Sequence, residues 1–199
     1  MIAKRIFDLA ISLLGLLVLA PLFALIALWI KLDSPGPVLF RQIRIGQFGR
    51  PFRIFKFRTM IVGAESCGGQ ITAGKDPRIT RSGAVLRRSK FDELPQLINV
   101  ALGDMSLVGP RPEVPRYVEI FREEYRTVLS VKPGITDYAA LEFRNEEDIL
   151  RAYPSAEEAY VSVILPRKIA LYRKYLDERT FFNDLKILAR TIMKVAWPG

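Results

Sequence analysis

The sequence predicts an α+β protein, mainly helical, in which a re-entrant membrane helix-break-helix at the N-terminus precedes one small domain. Three observations carry that prediction. Residues 10–30 hold no charge and contain a proline. Residues 38–57 alternate apolar and basic side chains around glycines. The last thirty residues read as amphipathic helices suited to a membrane interface. The hairpin is expected over residues 1–33 and the domain over 34–199, and 199 residues suffice for one domain with an appendage.

Composition limits the chemistry. The chain has no histidine, which excludes a His base, a Ser-His-Asp triad and His-ligated zinc. Its one cysteine, Cys67, excludes an intramolecular disulfide and a multi-Cys metal site. Asp, Glu, Lys, Arg, Tyr, Ser and Thr remain, with room for an oxygen-liganded metal. Residues 1–100 carry 15 Lys/Arg against 6 Asp/Glu, whereas the second half is balanced, so the net charge of +9 sits in the first half. Nucleic acid, anionic lipid headgroups or a phosphorylated small molecule would each suit such a half.

The uncharged run from Ala10 to Ile30 would span roughly 31 Å as a helix, enough for a bilayer core. Pro21 lacks an N–H, so the Leu17 carbonyl loses its helical partner and the helix must bend or break. Both flanks are basic. Lys4 and Arg5 precede the run, and Lys31, Arg41, Arg44, Arg50, Arg53, Lys56 and Arg58 follow it against the single acid Asp33. The positive-inside rule therefore places both ends on the cytoplasmic side. A hairpin satisfies that, and a Pro-kinked spanning helix is the alternative. Trp29 suits an interfacial anchor.

Ser34-Pro-Gly-Pro37 ends the apolar segment with a turn. Residues 38–57 then read as a β-hairpin turning at Gly46–Gly49. Residues 61–80 are small and polar, a loop in which Cys67 is incidental. Residues 81–103 read as two helices meeting near Lys90–Glu93, with Asp92 as N-cap, Pro95 in the first turn and Gly103 as the stop. Gly109-Pro-Arg-Pro112 is a rigid turn, 113–129 is helical, Pro133-Gly134 is a second turn, and two amphipathic stretches fill 167–195.

Asp92-Glu93 is the pair of greatest chemical interest. Asp92 either caps a helix or faces an anion site at a helix start. Arg87, Arg88 and Lys90 lie within five residues, and Arg111 could close the other side. A carboxylate amid such charges stays ionised, available as nucleophile or metal ligand.

Several segments together match a known pattern. They are KRIFDLAIS at 4–12, GPVLFRQIRIG at 36–46, FKFRTM at 55–60, DPRITRSGAVLRR at 76–88, FDELPQLINVALGDMSLVGPRP at 91–112 and KPGIT at 132–136. In their order the chain resembles the monotopic phosphoglycosyl transferases, the bacterial sugar transferase family, over most of its length. The resemblance implies transfer of a sugar-1-phosphate from a UDP-sugar to undecaprenyl phosphate with release of UMP. It also implies the family's minimal form: a re-entrant hairpin broken at Pro21 and a catalytic domain on the cytoplasmic face of the bacterial inner membrane, in contact with its lipids.

Carried over to this sequence, Asp92 and Glu93 are the catalytic dyad. Asp92 attacks the β-phosphorus to give a covalent aspartyl-phosphosugar intermediate. Asp92 or Glu93 holds Mg²⁺, and Glu93 alternatively activates the lipid phosphate. Arg87 and Arg111, then Lys56 and Arg58, are expected on phosphates, and Gln96 with Asn99 near the site. Three departures stand out. Ala20 precedes Pro21 where Ser is common, Lys90-Phe91 precedes the dyad where Ser-Leu is common, and residues 134–148 lack the Gly-Trp-Ala-Gln pattern of some members. The resemblance leaves the sugar open, and a homodimer is compatible with it. Nucleic-acid binding leaves the apolar run unexplained and no reader motif is present. A non-enzymatic membrane scaffold would predict a damaged dyad, and both acids are intact.

Overall fold

The computed structural model describes residues 2–64, 71–72 and 76–196. Cys67 lies outside the described residues. The chain begins with α1, Ile2–Asp33, a single helix with Pro21 inside it. The expected break is therefore absent as an interruption: the helical assignment runs through the proline. One lost backbone hydrogen bond is a local defect that the turns on either side can bridge.

Both ends of α1 are fastened to the domain. Near the start, Lys4 donates to the Val108 carbonyl at 3.0 Å and pairs with Asp184. Arg5 donates to the Val100 and Ala101 carbonyls. The buried Asp8 accepts from the Ser106 hydroxyl at 2.7 Å and the Leu107 amide at 3.3 Å. Near the end, Ile26 and Ile30 pack with Phe57 and Leu86. Arg58 donates to the Ser34 carbonyl at 2.8 Å and to the Pro35 carbonyl, closing off the helix end. Between these anchorages Leu17 and Val18 are exposed.

Strands β1 (Leu39–Ile45) and β2 (Pro51–Phe57) pair antiparallel from Leu39↔Phe57 to Ile45↔Pro51. Their turn lies where the glycines predict it. Phe48 takes φ 58° there and its amide donates to the Leu129 carbonyl at 2.7 Å, seating the turn on the domain. β2 would otherwise present a bare edge. Asn99 covers part of it, accepting from the Phe55 amide at 2.9 Å and donating to the Arg53 carbonyl at 2.8 Å.

α2 (Arg81–Ser89) starts at Thr80, whose hydroxyl accepts from the Gly83 amide at 3.0 Å. Gly83 lies so close to β2's exit that a Cβ would fall 2.0 Å from the Thr59 carbonyl oxygen, so no side chain fits. α2 ends at Lys90 in the left-handed conformation, φ 62°. Phe91–Glu93 form a 3-10 turn, and α3 (Gln96–Leu102) stops at Gly103, φ 94°, as expected. Asp92 does not cap α3, contrary to the sequence reading. Pro95 occupies the cap position and makes no side-chain bond there, and Asp92 sits a turn earlier inside the 3-10 segment.

β3 (Ser106–Val108) pairs parallel with β4 (Gly134–Thr136), so Gly134 opens a strand rather than a turn. Three-residue strands carry no readable alternation. The pairing brings the 109–112 loop against β4: the Gly109 amide donates to the Thr136 carbonyl and the Gly134 amide to the Pro110 carbonyl, both at 3.0 Å. The remaining elements are helical: α4 (Pro115–Ile120), α5 (Arg122–Val128), α6 (Tyr138–Glu142), α7 (Glu146–Leu150), α8 (Ala156–Ala159), a π turn at 160–164, α9 (Leu165–Asp177) and α10 (Phe181–Ala196).

Tyr117, Tyr125, Leu150, Ile164, Leu165 and Tyr172 centre one buried cluster. Ile54, Val100, Met105, Val108, Tyr175 and Ile187 form a second beneath the hairpin. The amphipathic reading of the C-terminal helices holds: α10 buries Asp184 and Ile187 and exposes Phe182, Ile192 and Met193.

Candidate active site

Asp92 and Glu93 lie at the junction of α2, α3, β2 and the 109–112 loop. The left-handed Lys90 turns the chain out of α2, and the 3-10 turn then carries the two acids in succession. Glu93 is clamped by two cations. Arg111 donates from Nη1 to Oε2 at 2.8 Å and from Nη2 to Oε1, and Lys56 Nζ donates to Oε1 at 3.0 Å. Lys56 comes from the inner face of β2. Arg111 comes from a loop stiffened by Pro110 and Pro112, and its amide donates to Asp137 Oδ2 at 3.3 Å. Asp137 also accepts from the Ala140 amide at 2.7 Å, capping α6.

Asp92 is nearly buried, 8% exposed, and its Oδ1 has no hydrogen-bond partner. Its carboxyl is pushed up to about 6 by burial and then by the Glu93 charge, with Lys56, Lys90 and Arg87 pulling the other way. Burial would raise Glu93 as well, but Arg111 and Lys56 hold it well below the usual carboxylate range. Burial lowers Lys56, against the opposing pull of Glu93. Burial opposes the charge on Arg111, and Glu93 overrides that and raises it. Two adjacent acids thus differ in kind. Glu93 is a fixed anion that organises cations, and Asp92 is an underbonded carboxylate that burial and the Glu93 charge push up to about 6.

The other expected site residues divide. Arg87 lies on α2 close enough to act on Asp92, but its Nη2 is shared by Thr72 Oγ1 at 3.2 Å and Glu147 at 3.1 Å. Its Nη1 is buried without a partner. Gln96 is fully buried and neither amide atom has a partner. Arg58 is directed elsewhere, to the carbonyls at the end of α1, and Asn99 serves the β2 edge. Asp137 and Glu147 were not singled out from the sequence. They act on Arg111 and Arg87 from 26 and 60 positions downstream, with no local motif to mark them.

Among the described residues no group of three or more His, Cys, Asp or Glu could hold a metal alone. Mg²⁺ typically takes one or two carboxylates and completes its shell with water and substrate phosphate oxygens. Asp92 fits that role through its unpartnered Oδ1. Glu93 already spends both oxygens on Arg111 and Lys56.

A sequence model of the bacterial sugar transferase family matches residues 1–198. The UDP-glucose:undecaprenyl-phosphate glucose-1-phosphate transferase of Escherichia coli (strain K12) is 38% identical over 195 residues, 96% of this chain and 39% of that protein. The uncharacterized sugar transferase EpsL of Bacillus subtilis (strain 168) is 39% identical over 197 residues, 98% of this chain and 88% of EpsL. The exopolysaccharide production protein PSS of Rhizobium leguminosarum bv. phaseoli is 46% identical over 149 residues, 71% of this chain and 74% of that protein. The chain thus spans about two fifths of the E. coli relative and most of the other two.

Proposed function

The chain belongs to the bacterial sugar transferase family, and from that premise we propose that it transfers a sugar-1-phosphate from a UDP-sugar to undecaprenyl phosphate, with release of UMP. The observation that carries this reading is the pairing of an underbonded Asp92 with a Glu93 that gathers Lys56 and Arg111. Transfer between two phosphorylated substrates needs a nucleophile that is ionised but poorly solvated, and cations aimed at phosphate oxygens.

In the proposed first step, an Asp92 oxygen attacks the β-phosphorus of the UDP-sugar. The Asp92–phosphorus bond forms, the phosphoanhydride bond to the α-phosphate breaks, and UMP leaves with the electron pair. In the second step a phosphate oxygen of undecaprenyl phosphate attacks the same phosphorus and Asp92 departs as a carboxylate. One phosphoanhydride replaces another, so no outside energy source is required. Arg111 and Lys56 stabilise the charge building on the phosphoryl oxygens, and Glu93 fixes both in place. Mg²⁺, held by Asp92 Oδ1 together with substrate oxygens, would supply further charge neutralisation.

The reading extends to the membrane. α1 is 32 residues long and apolar enough to cross a bilayer by length and composition. Both of its ends are tied to the same domain, through Lys4 and Asp8 at one end and Arg58 and Asp33 at the other. A spanning helix would leave one end across the bilayer. These ties support a monotopic placement on the cytoplasmic face of the bacterial inner membrane, re-entrant where α1 bends at Pro21 inside the bilayer, and the product would open a polysaccharide or other glycoconjugate pathway.

The test is UMP release by purified protein in nanodiscs with undecaprenyl phosphate, Mg²⁺ and a panel of UDP-sugars, beside Asp92→Asn. Lipid-dependent UMP from one donor, lost in the variant, supports the reading. Full activity in Asp92→Asn would sink the nucleophile assignment. A sugar-phosphate adduct on the intact mass of the protein, formed without lipid, checks the covalent step.

A further inference from the structure

The proposed reaction has two anionic substrates, and the two cations that Glu93 gathers, Lys56 and Arg111, serve the phosphoryl group transferred at Asp92. Arg87 pairs with Glu147. Further positive charge lies on the exposed side of α2, at Arg88, and at its C-cap, Lys90. Among the described residues Arg88 and Lys90 make no side-chain hydrogen bond or ion pair.

α2 connects the end of the apolar helix to the site. At its start, Ser82 donates through its amide and its hydroxyl to Asp33, both at 2.8 Å. In its middle, Leu86 packs with Ile26 and Ile30 of α1. At its finish, Lys90 opens the turn that carries Asp92. Ser82, Gly83 and Leu86 are the buried side. Arg81, Val85 and Arg88 follow one another at helical spacing on the opposite side, and all are exposed. Val85 is 52% exposed, and Phe91, next to Asp92, is 36% exposed.

We propose that this outer face of α2 docks the polyprenyl phosphate acceptor. Arg88 and Lys90 hold its phosphate at the Asp92 end, and Val85 and Phe91 receive the first isoprene units. The assignment rests on the transferase reading above. An amphiphile leaving the bilayer needs an apolar path beginning at the membrane and cations at the far end. Bulk headgroups need only the cations, and hydrocarbon needs only the apolar part. The exposed side of α2 sets Val85 between Arg81 and Arg88, and Lys90 and Phe91 follow in the turn beyond it, so apolar and cationic groups run from beside the end of α1 to beside the reacting carboxylate.

The two half-reactions separate this docking face from the reading beneath it. Both are followed in nanodiscs of neutral lipid and, in parallel, in nanodiscs with anionic lipid added. Exchange of labelled UMP into UDP-sugar without acceptor reads the first, and lipid-linked sugar reads the second. In Arg88→Ala and in Val85→Asp, both at exposed positions, the KM for polyprenyl phosphate is expected to rise about fivefold or more. UMP exchange should stay within about twofold of wild type. An unchanged acceptor KM in both variants overturns the docking face, as does an equal loss of UMP exchange, which would assign these residues to the donor. An effect seen only when anionic lipid is added would assign the face to bulk headgroups and also overturn it. Wild-type protein that neither exchanges UMP nor forms product with any donor would strike at the transferase reading instead.

Discussion

Arg111 reaches both carboxylate oxygens of Glu93, Nη1 donating to Oε2 at 2.8 Å and Nη2 to Oε1. The planar fork fixes the orientation of both partners, which a lysine in the same place would not do. Lys56 completes the arrangement from β2. Glu93→Gln would leave two largely buried cations without their anion. Breaking such a cluster from one side costs about 3 kcal/mol, and losing the alignment of both phosphate-directed cations should lower kcat about 100-fold or more. Thermal unfolding and steady-state kinetics of the variant check both figures. A variant of normal stability and near-normal kcat would show that the clamp is ornamental.

Asp92 gives a prediction whose sign differs for stability and activity. The folded protein keeps a proton on Asp92 up to about pH 6, whereas the ordinary value is 3.8. Folding takes up a proton between those limits, so ionising Asp92 destabilises the fold as pH rises through that window. The cost is fully present above it and amounts to about 3 kcal/mol. Asp92→Asn should therefore be inactive yet more stable than wild type at pH 7.5, by about 2 kcal/mol. The difference in stability should shrink or reverse near pH 4. UMP exchange in the wild type should rise with pH and level off above an apparent value near 6. Denaturant melts of both proteins at pH 4.5 and 7.5, with a pH–rate profile, test this. A less stable Asp92→Asn at pH 7.5 would contradict it.

Much of this arrangement is legible in the sequence. The 21-residue uncharged run, the hairpin turning at Gly46–Gly49 and the stop at Gly103 follow from local chemistry: hydrophobic length, alternation and glycine conformation. Adjacent charge makes Asp92-Glu93 noticeable, and its reading as a dyad comes from the family resemblance. What is not legible depends on distant partners. Asn99 looks like a residue one turn from Gln96 on a short helix, and its role as cover for the β2 edge exists only once β2 lies alongside. Arg58 lies two positions beyond Lys56, where strand alternation alone would keep both on one face. β2 ends at Phe57, however, and past that end Arg58 turns to α1 while Lys56 turns to Glu93. Residues 134–148 carry no motif that announces their contacts. Asp137 supports the Arg111 backbone because the parallel pairing of β3 and β4 sets it beside the 109–112 loop, and Glu147 reaches Arg87 from α7.

The Asn99 clamp can be removed without touching the dyad. Asn99→Ala deletes one acceptor and one donor that serve part-buried strand backbone, leaving the Phe55 amide and the Arg53 carbonyl without them. Two such losses should cost about 2–4 kcal/mol. Lys56 rides on the same strand, so slackening of β2 should also lower kcat, by less than in Glu93→Gln. Hydrogen exchange at Phe55, followed by NMR or mass spectrometry, should accelerate. An unchanged exchange rate there would mean that the strand edge is held by something other than Asn99.

The placement of α1 is open to a direct chemical test. Ile2 and Leu32 sit at opposite ends of the helix and are 80% and 78% exposed. In a Cys67→Ser background, Ile2→Cys and Leu32→Cys each offer one thiol to a membrane-impermeant maleimide. A re-entrant helix puts both ends in the cytoplasm. Neither thiol should then react in intact spheroplasts, and both should react in inverted membrane vesicles. A spanning helix would put the two ends on opposite sides and give opposite labelling patterns. It would also force Lys4 away from Val108 and Asp184, or Arg58 away from the Ser34 carbonyl, because both sets of contacts belong to one domain. Opposite labelling would therefore reject the monotopic placement together with one of those two anchorages.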